Sequence, residues 1–190
     1  MMRDAALGHA LVAIARNALR VELGHARRAA PGHPALDAPG ATFVTLTQAG
    51  DLRGCIGSLE ASRPLRADVH ANAIAAAFRD PRFPPLAAFE LDSTQVEVSL
   101  LSASAPIAVA DEGALLRTLV PGVDGVTLEY GRHRATLLPQ VWESLAEPSS
   151  FLDALKRKAG LPSGFWHPQM RFSRYAVAKW TEAEFAEAQS

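Results

Sequence analysis

Two extended runs separated by a turn constrain this chain more than any other feature. Residues 41–47 and 52–59 are rich in β-branched and aromatic side chains, and Ala49-Gly50-Asp51 lies between them. The stretch predicts a hairpin. A third run, 94–101, alternates Val96, Val98 and Leu100 with Gln95, Glu97 and Ser99, which sets apolar groups on one face of a strand and Glu97 and Ser99 on the other. The polar side is a candidate cleft wall. Further strands are expected near 126–130, 134–138 and 172–180, so strands fall in pairs rather than alternating with helices. That pattern predicts an α+β fold with mainly antiparallel sheet.

Helices are expected between these runs. Asp4 is positioned as an N-cap, and Leu7, Leu11, Ile14, Ala18 and Val21 recur at three- and four-residue steps up to Gly24, as one buried helical stripe requires. Residues 25–40 carry three prolines and two glycines and read as a surface loop. Pro64 suits a first helical turn, and Leu65, Val69, Ala73 and Ala76 keep a helical period as far as Asp80-Pro81. Asp111 is a cap for a short helix to Leu119, and Pro139 opens a helical stretch that Gly160 stops. Thr181 and Glu184 have capping-box spacing for a last helix.

Composition narrows the function classes. Nineteen basic against twenty acidic residues give a formal charge of -1, so no overall positive field favours a phosphate backbone, and nucleic acid is not expected as a partner. No apolar run reaches the ~20 residues of a membrane helix, and the start lacks the pattern of a signal peptide, so a cytoplasmic protein without membrane contact is expected. With Cys55 as the one cysteine, neither an intrachain disulfide nor a thiolate-rich zinc cage is available. The six histidines form no i,i+4 pair and no HExxH pattern, so no metal ligand is assigned. No nucleotide-loop motif occurs either, and the cofactor is left unknown.

The sharpest chemical feature is Leu52-Arg53-Gly54-Cys55-Ile56-Gly57. It sets a thiol beside a guanidinium, and in a regular strand Arg53 and Cys55 share a face. Gly54 and Gly57 permit close approach of a ligand or of another backbone. Two readings of Cys55 stand side by side: a nucleophile or covalent carrier activated by a nearby cation, or a small buried filler on a strand whose glycines allow a tight crossing. A Cys–His pair would need tertiary contact with His70, His133 or His167. Asn72 and the run Asp80-Pro81-Arg82-Phe83-Pro84 add an amide, a carboxylate and a second guanidinium at a broken helix end, where substrate-positioning groups often sit. The candidate set is therefore Cys55 as nucleophile, with Arg53, Gly54, Gly57, Asn72, Asp80, Arg82 and Glu97 around an anionic ligand. Asp80 and Arg82 pairing with each other is the plainer alternative.

Phe43-Val44-Thr45-Leu46 and Leu52 to Gly57 resemble the opening motif of the AMMECR domain family. The likeness continues in order and spacing through Asn72 to Ala77, Asp80 to Pro84, Glu97-Val98-Ser99, Leu138-Pro139-Gln140-Val141, Phe151-Leu152 and Lys158-Ala159-Gly160-Leu161. One departure stands out, because the family often carries cysteine where this chain has Lys156. The resemblance implies one AMMECR domain over residues 1–190 with two unequal lobes, the larger from both chain ends and the smaller from the middle, roughly 60–120. It also implies a cleft near the LRGCIG strand, and a Memo-like protein and a radical SAM protein of the AmmeMemoRadiSam system as partners. The family brings no established reaction. Two functions are carried forward: binding or modification of a small anionic molecule in that cleft, and a non-catalytic interaction module of the same system.

Overall fold

The computed structural model describes residues 3–186; residues 1–2 and 187–190 of the expected domain lie outside it. The chain forms two compact units, one running through Leu101 and resuming at Ala178, the other spanning Ser102–Val177. The fold is α+β, as expected. The smaller unit starts at Ser102 and not near residue 60, because the helix that follows residue 64 packs on the first hairpin and stays in the first unit.

In the first unit, Asp4 accepts hydrogen bonds from the Ala6 and Leu7 N–H groups and starts α1 (Ala5–Glu22). The buried stripe is rotated from the expected one: Leu11, Ala15 and Leu19 are fully enclosed, Ile14 is half-buried and Val21 is exposed. Strand β1 (Pro39–Gly40) precedes the hairpin, formed by β2 (Thr42–Gln48) and β3 (Asp51–Gly57). The short β4 (Arg63–Pro64) pairs with β1 and leads into α2 (Leu65–Phe78). Strand β5 (Thr94–Leu101) covers the residues expected for it and runs antiparallel to β2. Val44, Leu46, Val96 and Val98 form the sheet face that both helices cover, which leaves the alternate residues on the other face.

The second unit opens with β6 (Ala105–Ile107), a strand too short to leave a pattern in the sequence. Asp111 caps α3 (Glu112–Thr118) through the Ala114 N–H. Strands β7 (Gly125–Tyr130) and β8 (His133–Leu137) make the second hairpin. The single helix expected from Pro139 to Gly160 is instead a 3-10 turn at Pro139–Glu143 followed by α4 (Pro148–Lys158). Pro148 has no N–H to continue a helix and suits the first position of a new one. Trp142 stacks on Phe151 at 3.8 Å in this core, and its indole N–H donates to the Asp124 carbonyl. Lys156 is fully buried, and its ammonium donates to Glu112 and to the Ser163 carbonyl.

The expected strand 172–180 is two strands, β9 (Arg171–Tyr175) and β10 (Val177–Thr181), divided at Ala176, whose N–H and C=O are both bonded to Ser102. Strand β9 lies between β6 and β7 in the second unit's sheet, and β10 completes the first unit's sheet in the order β10-β5-β2-β3. Glu184 accepts from both the N–H and the hydroxyl of Thr181 at the start of α5 (Ala183–Ala186). No helix among the described residues is long and apolar enough to cross a membrane.

Candidate functional site

Strand β3 is the outer strand of its sheet, so alternate backbone groups along it lack a strand partner. At Cys55 those groups are taken by the turn that follows α2. The Cys55 N–H donates to Asp80 Oδ2 at 2.9 Å, and Arg82 Nη2 donates to the Cys55 carbonyl at 3.3 Å. Asp80 is 4% exposed and receives Arg82 through N, Nε and Nη2 at 2.7–3.1 Å. A carboxylate and a guanidinium two residues apart thus replace one rung of a missing strand. The hydrogen bonds from Arg82, and then from the Cys55 N–H, hold the Asp80 carboxyl well below the usual carboxylate range despite burial. The hydrogen bond to Asp80 raises Arg82 above its ordinary value.

The Cys55 side chain points away from the helices. It is half-buried, and Sγ lies 3.4 Å from the Thr45 hydroxyl. Thr45 is the cross-strand partner of both Cys55 and Glu97, so the three form a row across β3, β2 and β5. Two strand spacings separate Cys55 from Glu97, about 10 Å. Glu97 instead faces Lys179 of β10 at 3.5 Å. The structure therefore assembles Cys55, Asp80 and Arg82, with Thr45 at the thiol and Glu97 farther along the same face.

Arg53 does not share that face. The register steps from Leu46↔Gly54 to Thr47↔Leu52, so Arg53 is the extra residue of a β-bulge, and a bulge breaks the alternation that put Arg53 beside Cys55. Its guanidinium pairs in two-pronged fashion with Glu90 at 2.9 and 3.0 Å, and Gln48 bonds the same carboxylate. Arg53 is 8% exposed, and its Nη1 has no hydrogen-bond partner among the described residues. Hydrogen bonding from Arg53 first, then from the Ala87 N–H, lowers Glu90 to about 2. The cation beside Cys55 is Arg82.

The two glycines are filled by the protein itself. A Cβ on Gly54 would lie 2.1 Å from the Ala76 carbonyl oxygen on α2, and one on Gly57 would lie 2.2 Å from the Phe43 ring. Gly54 is where the helix backbone crosses the strand, and neither position leaves room for a ligand.

Asn72 belongs to a buried polar network at the start of β2. Its amide donates to Asp68, to Ser58 and to the carbonyl and hydroxyl of Thr42. Asp68, fully buried, also accepts from the Thr42 N–H and hydroxyl, the Ser58 hydroxyl and Arg63 Nε, all at 2.7–2.9 Å. Reading the sequence singled out Asn72 and missed Asp68, Thr42, Ser58 and Arg63. The available signal was the i,i+4 spacing of Asp68 and Asn72 inside an apolar helical stripe.

No described histidine bonds to Cys55: His70 lies in a groove beside α1, His133 bonds the Ala159 carbonyl and His167 the Gln169 N–H. Among the described residues, no three His, Cys, Asp or Glu side chains converge as a metal site requires.

A sequence model of the AMMECR1 family matches residues 12–180. A protein from Sulfolobus acidocaldarius is 38% identical over 172 residues, covering 84% of this chain and 74% of its own. One from Methanothermobacter thermautotrophicus is 46% identical over 140 residues, 70% of each chain. The crystal structure of the uncharacterized protein PH0010 from Pyrococcus horikoshii superposes with a TM-score of 0.79 at 32% identity, covering 95% of this chain and 93% of that one.

Proposed function

As the chain belongs to the AMMECR1 family, we propose that it binds a small anionic molecule beside β3 and presents the Cys55 thiol to it as nucleophile or covalent carrier. One observation carries this reading. Arg82 uses Nε and Nη2 on Asp80 and the Cys55 carbonyl, while Nη1 has no partner among the described residues and the side chain is 53% exposed. A guanidinium fixed through one edge offers its remaining donors to an oxyanion as a charge-assisted hydrogen bond. Asp80 orients that guanidinium, Thr45 orients the thiol, and Glu97 with Lys179 forms a polar rim on the same face. Arg53, Gly54, Gly57 and Asn72 act in this reading by holding the strand in place.

The test is the charge selectivity of Cys55 alkylation. An opposite charge about 4 Å away is worth ~1 kcal/mol in water, roughly a five-fold rate effect. The ratio of iodoacetate to iodoacetamide rates is therefore expected to fall about five-fold in Arg82→Gln. An unchanged ratio would remove Arg82 as the anion-receiving group and the reading with it.

A second reading, docking of a Memo-like or radical SAM partner in the cytoplasm, is favoured by Phe89 and Leu52, which are 88% and 43% exposed and flank the Arg53–Glu90 pair in sequence. Partner capture that survives Cys55→Ser and is lost in Phe89→Asp would select it.

A further inference from the structure

A groove of about 520 Å³ lies in the first unit between α1, α2 and the loop that follows α1. Arg27 and Arg28 line it from the loop, Arg66 and His70 from α2, and Ile14 and Ala18 supply an apolar wall from α1. No Asp or Glu is among its lining residues. In a chain of formal charge -1, three guanidiniums around one concavity without a lining carboxylate make a local positive field. Concave surfaces concentrate such a field and attract anions.

The loop that carries two of these arginines is fastened to α1. Asn17, 6% exposed, grips the Arg28 backbone in both directions, donating to its carbonyl and accepting from its N–H, each at 2.9 Å. Arg20 Nε donates to the Ala26 carbonyl at 3.2 Å, and the His25 N–H donates to the Arg20 carbonyl at 2.8 Å. The backbone under Arg27 and Arg28 is thus set before any ligand arrives, which lowers the ordering cost of binding. Neither guanidinium has a hydrogen bond or ion pair among the described residues. Arg66 pairs with Asp37 at 2.7 Å, but both side chains are largely exposed, at 53% and 75%, and such a surface pair contributes little. Arg66 keeps donors to spare.

We propose that this groove is a second binding site, separate from the Cys55 strand, for a phosphorylated small molecule of nucleotide size. The guanidiniums of Arg27, Arg28 and Arg66 receive the phosphate oxygens in the forked geometry that arginine favours. Ile14 and Ala18 meet the organic part, and the volume falls in the range of pockets that enclose ligands of that size, about 300–1,000 Å³.

The experiment is calorimetric titration of the full chain at low ionic strength with ADP, pyrophosphate and adenosine as probes. ADP and pyrophosphate are expected to bind, with adenosine weaker than ADP by roughly ten-fold or more. Arg27→Gln combined with Arg66→Gln removes two exposed side chains and is expected to weaken ADP by at least ~ten-fold. Unaltered Cys55 alkylation in the double variant serves as the check on its fold. Adenosine binding as tightly as ADP would overturn the proposal. So would an unaffected double variant, or an oligonucleotide that binds where ADP and pyrophosphate do not.

Discussion

Gly54→Ala is expected to lower folding stability by about 3 kcal/mol or more, seen as a shift of the urea midpoint at an unchanged slope. The new Cβ would lie 2.1 Å from the Ala76 carbonyl oxygen and 3.1 Å from its carbon. Both atoms belong to the backbone of α2, so no rotamer change relieves the overlap and the helix has to leave the strand. Gly57→Ala is the control. Its Cβ meets the Phe43 ring at 2.2 Å, but Phe43 is half-buried and can turn aside, so a loss of about 1 kcal/mol is expected there. A Gly54→Ala midpoint equal to that of the parent would show that the helix and strand do not cross so closely.

Asp68→Ala is expected to cost about 3–5 kcal/mol, because it leaves several buried donors without their acceptor. Its carboxylate receives the Thr42 N–H and hydroxyl, the Ser58 hydroxyl, Arg63 and the Asn72 amide. Thr42 and Asn72 are buried, at 0% and 4% exposure, so their donors lose their acceptor, whereas Arg63, with its side chain 40% exposed, can turn to water. Asn72→Ala removes one member of the same network, so the two changes together should cost less than their sum. Urea denaturation of the two single variants and the double variant measures this, and a loss under 1 kcal/mol for Asp68→Ala would mean that the network does not hold the start of β2.

Where local pattern determines local structure, the sequence was a good guide. The alternation through Val96 and Val98 predicts β5 with the ends it has, Thr94 and Leu101, and Asp4 and Asp111 cap the helices expected of them. What stayed hidden depends on long-range pairing. The bulge at Arg53 leaves no mark on composition, yet it reverses the face of that side chain and gives it to Glu90, 37 residues away. The break at Ala176 is made by Ser102, 74 residues away, so nothing near it reads as a strand end. Asp68 passes for an ordinary helical carboxylate until Thr42 and Ser58 are brought to it.

The same holds at the candidate site. The motifs point to Cys55, Asp80 and Arg82 one by one, but the meeting of Asp80 and Arg82 at the backbone N–H and C=O of Cys55, 25 residues before Asp80, is a property of the folded edge strand. Thr45 was part of the motif that carried the family resemblance and was not chosen, because a threonine in a strand is ordinary until its hydroxyl is found against a thiol.

The central claim is that β3 presents a usable thiol, and labelling of Cys55 in the folded protein followed by intact mass tests it most directly. Since the side chain is half-buried on the face away from the helices, one iodoacetamide adduct is expected to form under native conditions, within about ten-fold of the rate in urea. Labelling that appears only once the protein unfolds would make Cys55 a packing residue and would contradict the account.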